Sequence, residues 1–85
     1  MSRVPLVVPD LGLPDETIKA NCWLAARGDN VVEGDRLLEL AAGEVTIDVP
    51  APATGRLAEK SVREGDSVSS HQPLGIIETG EGENQ

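Results

Sequence analysis

The sequence is poor in the residues that build most binding and catalytic sites. Among its 85 residues there is one tryptophan, Trp23, and no phenylalanine or tyrosine. Aliphatic side chains and alanine must therefore fill the core, as they do in small β barrels and sandwiches. With one cysteine, Cys22, and one histidine, His71, the chain can form neither an internal disulfide nor a zinc site of cysteine and histidine ligands.

Long apolar runs and excess positive charge are also missing. No stretch approaches the length of a transmembrane helix, and the first residues lack the apolar run of a signal peptide. With the single cysteine, this leads us to expect a cytoplasmic protein. The formal net charge of −8 repels phosphate backbones and anionic lipids. We therefore expect a protein partner rather than nucleic acid or a membrane, and the charge would favour a basic surface.

A weak internal repeat divides the chain into two halves. Gly28-Asp29-Asn30-Val31 matches Gly65-Asp66-Ser67-Val68, an offset of 37 residues, and Leu37 to Leu40 matches Leu74 to Ile77 at the same offset. Glycine followed by aspartate is typical of a tight turn. Two similar halves, neither able to bury its apolar face alone, indicate pseudo-twofold symmetry.

Alternation of apolar and polar residues predicts strands. Residues 45–49 alternate valine or isoleucine with threonine or aspartate, as in a strand with one buried face. Residues 4–8 alternate less cleanly and include proline. Because proline has no N–H to donate, this second segment suits the edge of a sheet.

Residues 17–27 are ambiguous when taken alone. Pro14 before them and Gly28 after them are typical start and stop signals of a helix. The repeat places this stretch over residues 54–64, where Gly55 disfavours a helix. We therefore predict a strand, with Ile18, Ala20, Cys22 and Leu24 on one face and Lys19, Asn21 and Trp23 on the other.

Six segments in chain order carry a resemblance: Val8 to Gly12, Trp23, Gly28 to Asp35, Asp48 to Pro52, Gly55, and Glu64 to Val68. Together they resemble the lipoyl/biotinyl attachment domain family, and specifically the lipoyl domains of dihydrolipoyl acyltransferases. The resemblance implies an all-β barrel-sandwich hybrid, a flattened barrel of two four-stranded antiparallel sheets with pseudo-twofold symmetry. We expect residues 1–79 to form this lipoyl-like domain and residues 80–85 to form a flexible acidic tail.

The predicted hairpin tip departs from the family at the position that carries its chemistry. In lipoyl domains the tip reads Glu-Thr-Asp-Lys-Ala and the lysine holds the lipoyl group, whereas biotinyl domains present Met-Lys-Met. Here the tip is Ala41-Ala42-Gly43-Glu44-Val45, with Glu44 at the lysine position. A carboxylate cannot form the amide that holds either group. The only lysines, Lys19 and Lys60, do not fall near the predicted tip, so we expect neither lipoate nor biotin.

The remaining polar residues predict no catalytic or metal site. Glu44 is either a recognition carboxylate at an exposed turn or a solvated turn residue. Trp23 is either a binding hot spot or core packing, and packing is favoured because it is the only large ring. Cys22 is predicted to be an inert thiol, and His71 has no second histidine or cysteine beside it. Asp29, Asp35 and Asp66 are predicted to form turns.

These observations lead first to a non-lipoylated, lipoyl-like interaction module that is not catalytic by itself. By resemblance, its partners would be subunits of a 2-oxo acid dehydrogenase or acyltransferase system. One alternative is a lipoyl carrier domain of a dihydrolipoyl acyltransferase, with acyl transfer by a swinging arm. Another is a lipoyl-like domain of a biotin-dependent, membrane-fusion or adaptor protein, but membrane-fusion and adaptor relatives usually carry long helices inserted at this hairpin.

Overall fold

A computed structural model of the chain describes residues 2–12 and 17–80. They form seven strands: β1 Ser2–Val7, β2 Ile18–Trp23, β3 Asn30–Val31, β4 Arg36–Ala42, β5 Val45–Pro50, β6 Gly55–Lys60 and β7 Pro73–Thr79. All strand pairs are antiparallel, in one sheet ordered β1-β7-β6-β3 and another ordered β2-β4-β5. The all-β prediction is confirmed, and the ambiguous segment is strand β2.

The sheets differ from the predicted pair of four-stranded sheets, because the second has three strands. Residues 66–68 take the fourth position but form only one bridge, between Ser67 and Lys19. Two backbone bonds flank it: Ala20 N–H donates to the Asp66 carbonyl at 2.8 Å and Val68 N–H donates to Ile18 at 3.0 Å. The bridge stays short because the chain turns away at residues 70–71. Strand β2 is nevertheless covered on both sides.

Backbone hydrogen bonds reproduce the repeat seen in the sequence. Gly28 N–H donates to the Leu57 carbonyl at 2.7 Å, and Gly65 N–H donates to the Ala20 carbonyl at 2.7 Å. Donors and acceptors are both related by the same 37-residue offset, so each half of the chain holds the other by the same bond. The predicted pseudo-twofold symmetry is confirmed.

Turn residues close the loops of both halves in the same way. Asp29, Asp35 and Asp66 each accept a hydrogen bond on Oδ2 from the backbone N–H three residues earlier, at 2.8, 2.9 and 2.9 Å. Gln72 does the same through Oε1, at 2.9 Å. These carboxylates are turn formers, as predicted, because each accepts a hydrogen bond from the backbone of its own turn.

The core lies between the two sheets and is built from aliphatic side chains. Each of the large ones contributes about 1.5–3 kcal/mol by leaving water. The largest fully buried side chains are Leu6, Val8, Ile18, Leu37, Leu38, Leu40, Leu57, Val68, Leu74 and Ile77. Three of them, Leu37, Leu38 and Leu40, belong to β4, so the middle strand of the smaller sheet is firmly anchored.

A β-bulge in β2 corrects the predicted alternation of that strand. The pairing with β4 shifts register between Ala20 and Cys22, which makes Asn21 an extra residue. Beyond the bulge the faces are exchanged: Trp23 packs against the core and Leu24 is 48% exposed. The prediction that Leu24 faces inward is therefore wrong.

Trp23 is held in place by two further contacts. Its indole Nε1–H donates to the Val62 carbonyl at 3.0 Å, and the Lys60 ammonium lies 4.8 Å from the ring centroid. A cation over an indole face is attracted by the negative centre of the ring. Packing is thus an observed role of Trp23, and Lys60 is engaged by the same contact.

Strand β7 ends at Thr79. Of the predicted acidic tail, residues 81–85 lie outside the described part of the chain. Among residues 2–12 and 17–80 no helix is long and apolar enough to cross a membrane.

Candidate functional site

The β4–β5 hairpin closes through a two-residue turn, Gly43 and Glu44, between the paired residues Ala42 and Val45. Gly43 has a φ of 64°, in the left-handed region. Glycine at the first central position is typical of a type II′ turn, whose twist matches that of the two strands it joins. No atom lies within 4 Å of where a Gly43 Cβ would be, so backbone conformation rather than crowding explains this glycine.

The predicted tip residues divide into a buried and an exposed group. Ala42 is 8% exposed and belongs to the core, whereas Ala41 is half-buried. Gly43 and Glu44 are exposed, and Val45 is 59% exposed. Within the described ranges no hydrogen bond or ion pair engages the Glu44 carboxylate. The turn therefore presents one carboxylate and one apolar side chain to solvent.

Strand pairing brings Lys19 much closer to the hairpin than its sequence position indicates. Lys19 lies opposite Ala41 on β4, and Ala41 lies opposite Thr46 on β5. This row of three residues is two strand positions from the turn, and Lys19 is exposed. The prediction that neither lysine lies near the tip is therefore wrong for Lys19. We call the turn residues 43–45 together with this row the hairpin end.

The outer face of the larger sheet carries a network of four charged side chains, which we call the charge ladder: Arg3, Arg56, Glu59 and Glu78. Arg3 Nη1 and Arg56 Nη2 donate to the two carboxylate oxygens of Glu78 at 2.6 and 2.7 Å, and Arg3 also pairs with Glu59. The hydrogen bond from Arg56 is the main cause of a lowered pKa at Glu78, and the charges of both arginines act in the same direction. Partial burial acts against them.

The charge ladder predicts a specific loss of stability in acid. Above the ordinary glutamate pKa of 4.5, Glu78 is charged both folded and unfolded and the ladder contributes fully. As the pH falls through that value and then through the lower pKa of the folded state, protonation removes the contribution. Between neutral pH and about pH 3, wild type should lose more stability in urea titrations than Glu78→Gln does. Glu44→Gln, at an unpaired carboxylate, should lose as much stability as wild type over this pH range. An equal loss in wild type and both variants would refute the prediction.

The other residues singled out in the sequence form no reactive centre. No group of three or more histidine, cysteine, aspartate or glutamate side chains within residues 2–12 and 17–80 is arranged to hold a metal ion. His71 is exposed in a turn with φ of 68°, the backbone position that Gly34 occupies in the other half of the repeat. Cys22 is a half-buried free thiol whose Sγ lies 3.6 Å from the Trp23 carbonyl oxygen.

The two-sheet fold and its exposed β4–β5 hairpin are found in a known family of domains, which comparison with known proteins identifies. Residues 4–79 match the family described as biotin-requiring enzyme, a family of biotinyl and lipoyl domains, and the chain belongs to it. The solved lipoyl domain of the 2-oxoglutarate dehydrogenase complex from Azotobacter vinelandii superposes with a TM-score of 0.69 at 26% identity, covering 88% of this chain and 99% of that one. The resemblance inferred from the sequence is thus confirmed.

Curated relatives point to one kind of larger protein. The dihydrolipoyllysine-residue succinyltransferase component of the 2-oxoglutarate dehydrogenase complex of Escherichia coli K12 is 38% identical over 82 residues, which are 94% of this chain and 20% of that protein. The component of the same name from Bartonella vinsonii is 36% identical over 73 residues, covering 86% of this chain and 18% of the relative. The chain thus spans about a fifth of the length of these relatives.

These matches overturn the prediction that the domain has no cofactor. That prediction rested on Glu44 at the lysine position. The family is described by its requirement for biotin, and the relatives are named for a dihydrolipoyllysine residue. The expectation of neither lipoate nor biotin is therefore wrong. The turn residues 43–45 offer no amine to such a group, whereas Lys19 in the same hairpin end offers an exposed one.

Proposed function

We propose that this chain is the lipoyl domain of a 2-oxo acid dehydrogenase acyltransferase, and that it presents its hairpin end to the enzymes of that system. The observation that carries the proposal is the exposed β4–β5 turn, held on a two-sheet domain that matches lipoyl domains in fold and in sequence. The sequence alone favoured an interaction module without a cofactor. The match to lipoyl domains favours the carrier function instead.

Rigid presentation is the contribution of the fold to this function. Strand β4 lies between β2 and β5, and its Leu38 and Leu40 side chains are fully buried. The hairpin therefore cannot tilt without breaking strand pairs and exposing core. A partner meets a surface that is already ordered, so little conformational entropy is lost on binding. Lipoate, when bound, would supply a cyclic disulfide whose sulfurs, once the S–S bond is reduced, can carry an acyl group as a thioester.

Two features of the hairpin end suit recognition by a protein. Val45 gives an exposed apolar contact, and the free carboxylate of Glu44 is suited to a basic group on the partner. The net charge of −8 would also speed encounter with a basic surface. These features support a second candidate function, in which the hairpin end itself is the docking element for a subunit of the complex.

We further propose residues 1–79 as the domain and residues 80–85 as an acidic tail. Gly80 follows directly on β7, and the residues after it include two glutamates. The cytoplasm is the proposed compartment, because the chain has a single cysteine, and Cys22 is a free thiol.

Affinity capture tests the proposed function. The immobilised chain, incubated with native lysate at low salt, should retain subunits of a 2-oxo acid dehydrogenase complex, identified by mass spectrometry. Retention should fall in a variant carrying Glu44→Lys and Val45→Asp, because it reverses the charge and removes the apolar contact of the turn. Retention should also fall as salt rises, since exposed charges are screened. Glu59→Gln, on the opposite sheet, is the matched control and should bind as wild type does. The proposal would be contradicted if wild type and both variants retained the same proteins equally well. It would also be contradicted if wild type retained no subunit of such a complex.

A further inference from the structure

Two edge strands of the domain are related by the pseudo-twofold symmetry. Strand β1 lies at one edge of the larger sheet beside β7, and β5 lies at one edge of the smaller sheet beside β4. Ala42 of β4 pairs with Val45. Its equivalent in β7, Thr79, pairs with Ser2. The six residues of β1 therefore correspond one for one to the six residues of β5.

The hairpin shows which residues of β5 turn their backbone polar groups away from β4. A two-residue turn is closed by a hydrogen-bonded pair, here Ala42 and Val45, and bonded pairs alternate with unbonded ones along an antiparallel ladder. Thr46 and Asp48 therefore direct their N–H and C=O groups away from the sheet. Among residues 2–12 and 17–80, β4 is the only strand that pairs with β5, and these outward groups bond to no other backbone. We call Thr46 to Asp48 the open edge.

A proline blocks the equivalent edge of β1. Pro5 pairs with Ile76 of β7, and Asp48 pairs with Glu39, the equivalent of Ile76 in β4. Pro5 thus corresponds to Asp48, but it has no N–H to offer, so an added strand would lose a hydrogen bond and meet the proline ring. Of these two equivalent edges, only that of β5 can accept a further strand.

The side chains beside the open edge define the kind of strand that fits. On the inner face Val45 is 59% exposed and Ile47 is half-buried, so the margin of the core is uncovered there. On the outer face Asp48 is exposed, and its one cation, Arg36, lies 3.4 Å away and is itself 71% exposed. The Glu44 carboxylate in the turn is unpaired within the described ranges. Apolar side chains of an added strand would extend the core, and basic ones would meet the carboxylates.

Charge argues against a second copy of this chain as the occupant. Residues 43–50, the turn and β5, contain two carboxylates, Glu44 and Asp48, and no cation. In a pair of β5 strands each carboxylate would therefore meet an equally acidic strand, and like charges across a ladder are destabilising. The net charge of −8 adds repulsion between the two copies. Proline at this position would exclude every strand, whereas aspartate excludes an acidic strand and admits a basic one.

We propose that the open edge of β5 is a docking site for an extended segment of a partner protein in which apolar and basic residues alternate. The segment joins the smaller sheet antiparallel to β5, as all strand pairs of this domain are, by backbone hydrogen bonds to Thr46 and Asp48. Its apolar residues lie on the inner face beside Val45 and Ile47, and its basic residues lie on the outer face. The inference rests on the proposed function for the identity of the partner, a subunit of the dehydrogenase system.

The test uses a short fluorescein-labelled peptide that alternates valine and lysine, titrated with the full chain and followed by anisotropy. Wild type should bind it, and the changes in backbone amide NMR shifts should be largest at residues 45–49. Two N-methylated peptides of the same charge are the matched controls. Methyl groups on the backbone nitrogens of the lysines, which would face β5, should abolish binding. Methyl groups on those of the valines, which would face away, should leave binding intact.

Substitutions at Asp48 separate the backbone contribution from that of the charge. Asp48→Pro copies Pro5 of the equivalent edge, so the domain should fold, and binding should weaken at least about tenfold because an outward N–H and a charge are lost. Asp48→Asn keeps the N–H and should weaken binding only about threefold, with a smaller dependence on salt. Urea unfolding followed by Trp23 fluorescence checks that both variants are folded.

The outcomes separate this inference from the proposed function. Equal binding of the two N-methylated peptides, or of the peptide by Asp48→Pro and Asp48→Asn, would overturn it, because charge alone would then explain the binding. So would an absence of binding by wild type, shift changes centred outside β5, or self-association of the chain through β5. If the peptide fails while the chain still captures dehydrogenase subunits, the inference falls and the proposed function stands. If the peptide binds as expected while capture fails, the proposed function falls and the open edge remains a docking site.

Discussion

Gly55→Ala is expected to destabilise the domain by about 3 kcal/mol, at the upper end of the cost of overpacking. Gly55 begins β6 opposite Val31 of β3, and a Cβ built on it would lie 2.1 Å from the carbonyl oxygen of Glu78 and 2.9 Å from its carbonyl carbon. No real Cβ approaches backbone so closely, so β6 and β7 would have to separate. That movement weakens the pairing from which the charge ladder is built. Urea unfolding followed by Trp23 fluorescence measures the loss.

Gly34→Ala is the control for this prediction. Gly34 has a φ of 94°, but nothing lies within 4 Å of its Cβ position. Alanine there should cost only the strain of the left-handed backbone, about 1–2 kcal/mol. Crowding and strain are thus tested separately in one protein. A Gly55→Ala variant as stable as Gly34→Ala would show that β6 moves aside at little cost.

Much of the architecture follows from local patterns in the sequence. Alternation over residues 45–49 predicts the strand found at Val45–Pro50. The repeat predicts a strand within residues 17–27, found at Ile18–Trp23, although the flanking signals favour a helix. Both inferences use information that lies within a few residues or at one fixed offset. The turn-forming aspartates are predicted on the same basis, because an aspartate that bonds its own turn needs no distant partner.

Features that depend on pairing between strands were not predictable in this way. The extra residue Asn21 in β2 exchanges the faces on which Trp23 and Leu24 lie. No local sequence pattern in β2 predicts this bulge. The nearness of Lys19 to the turn is a matter of register between β2 and β4, because the two residues that face each other are 22 positions apart in the chain, from Lys19 to Ala41. Sequence distance therefore gave the wrong answer about this lysine.

The error about the cofactor arose from extending one residue of the turn to the whole domain, and the match to relatives overturned it. Glu44 shows that the turn itself offers no amine, and nothing more. Extending that observation to the whole domain assumed that no other amine reaches the hairpin end. The strand order β2-β4-β5 removes the assumption, since β2 pairs with β4 from Leu38 to Ala42, next to the turn. A missing residue in a loop excludes chemistry at that loop only, until the neighbouring strands are known.

Leu40→Ala is expected to cost about 2–5 kcal/mol of unfolding free energy, the range for truncating a fully buried leucine. Leu40 is 0% exposed and faces Ala20 on β2 and Ile47 on β5, so it joins all three strands of the smaller sheet. Single domains are stable by only about 5–15 kcal/mol, so the variant would be close to unfolding. Because β4 carries the turn, partner capture by the hairpin end should weaken along with stability.

A second substitution at the same position separates packing from chemistry. Leu40→Met keeps the volume and should cost less than about 1.5 kcal/mol, since the flexible thioether chain refills the space. The two variants, unfolded in urea under identical conditions, should therefore differ by at least about 0.5 kcal/mol in free energy of unfolding. Equal losses would mean that the small sheet does not depend on the volume of this side chain. In that case the rigidity attributed to the hairpin end would have to come from its strand pairing, with β2 and β5 holding β4 by backbone hydrogen bonds.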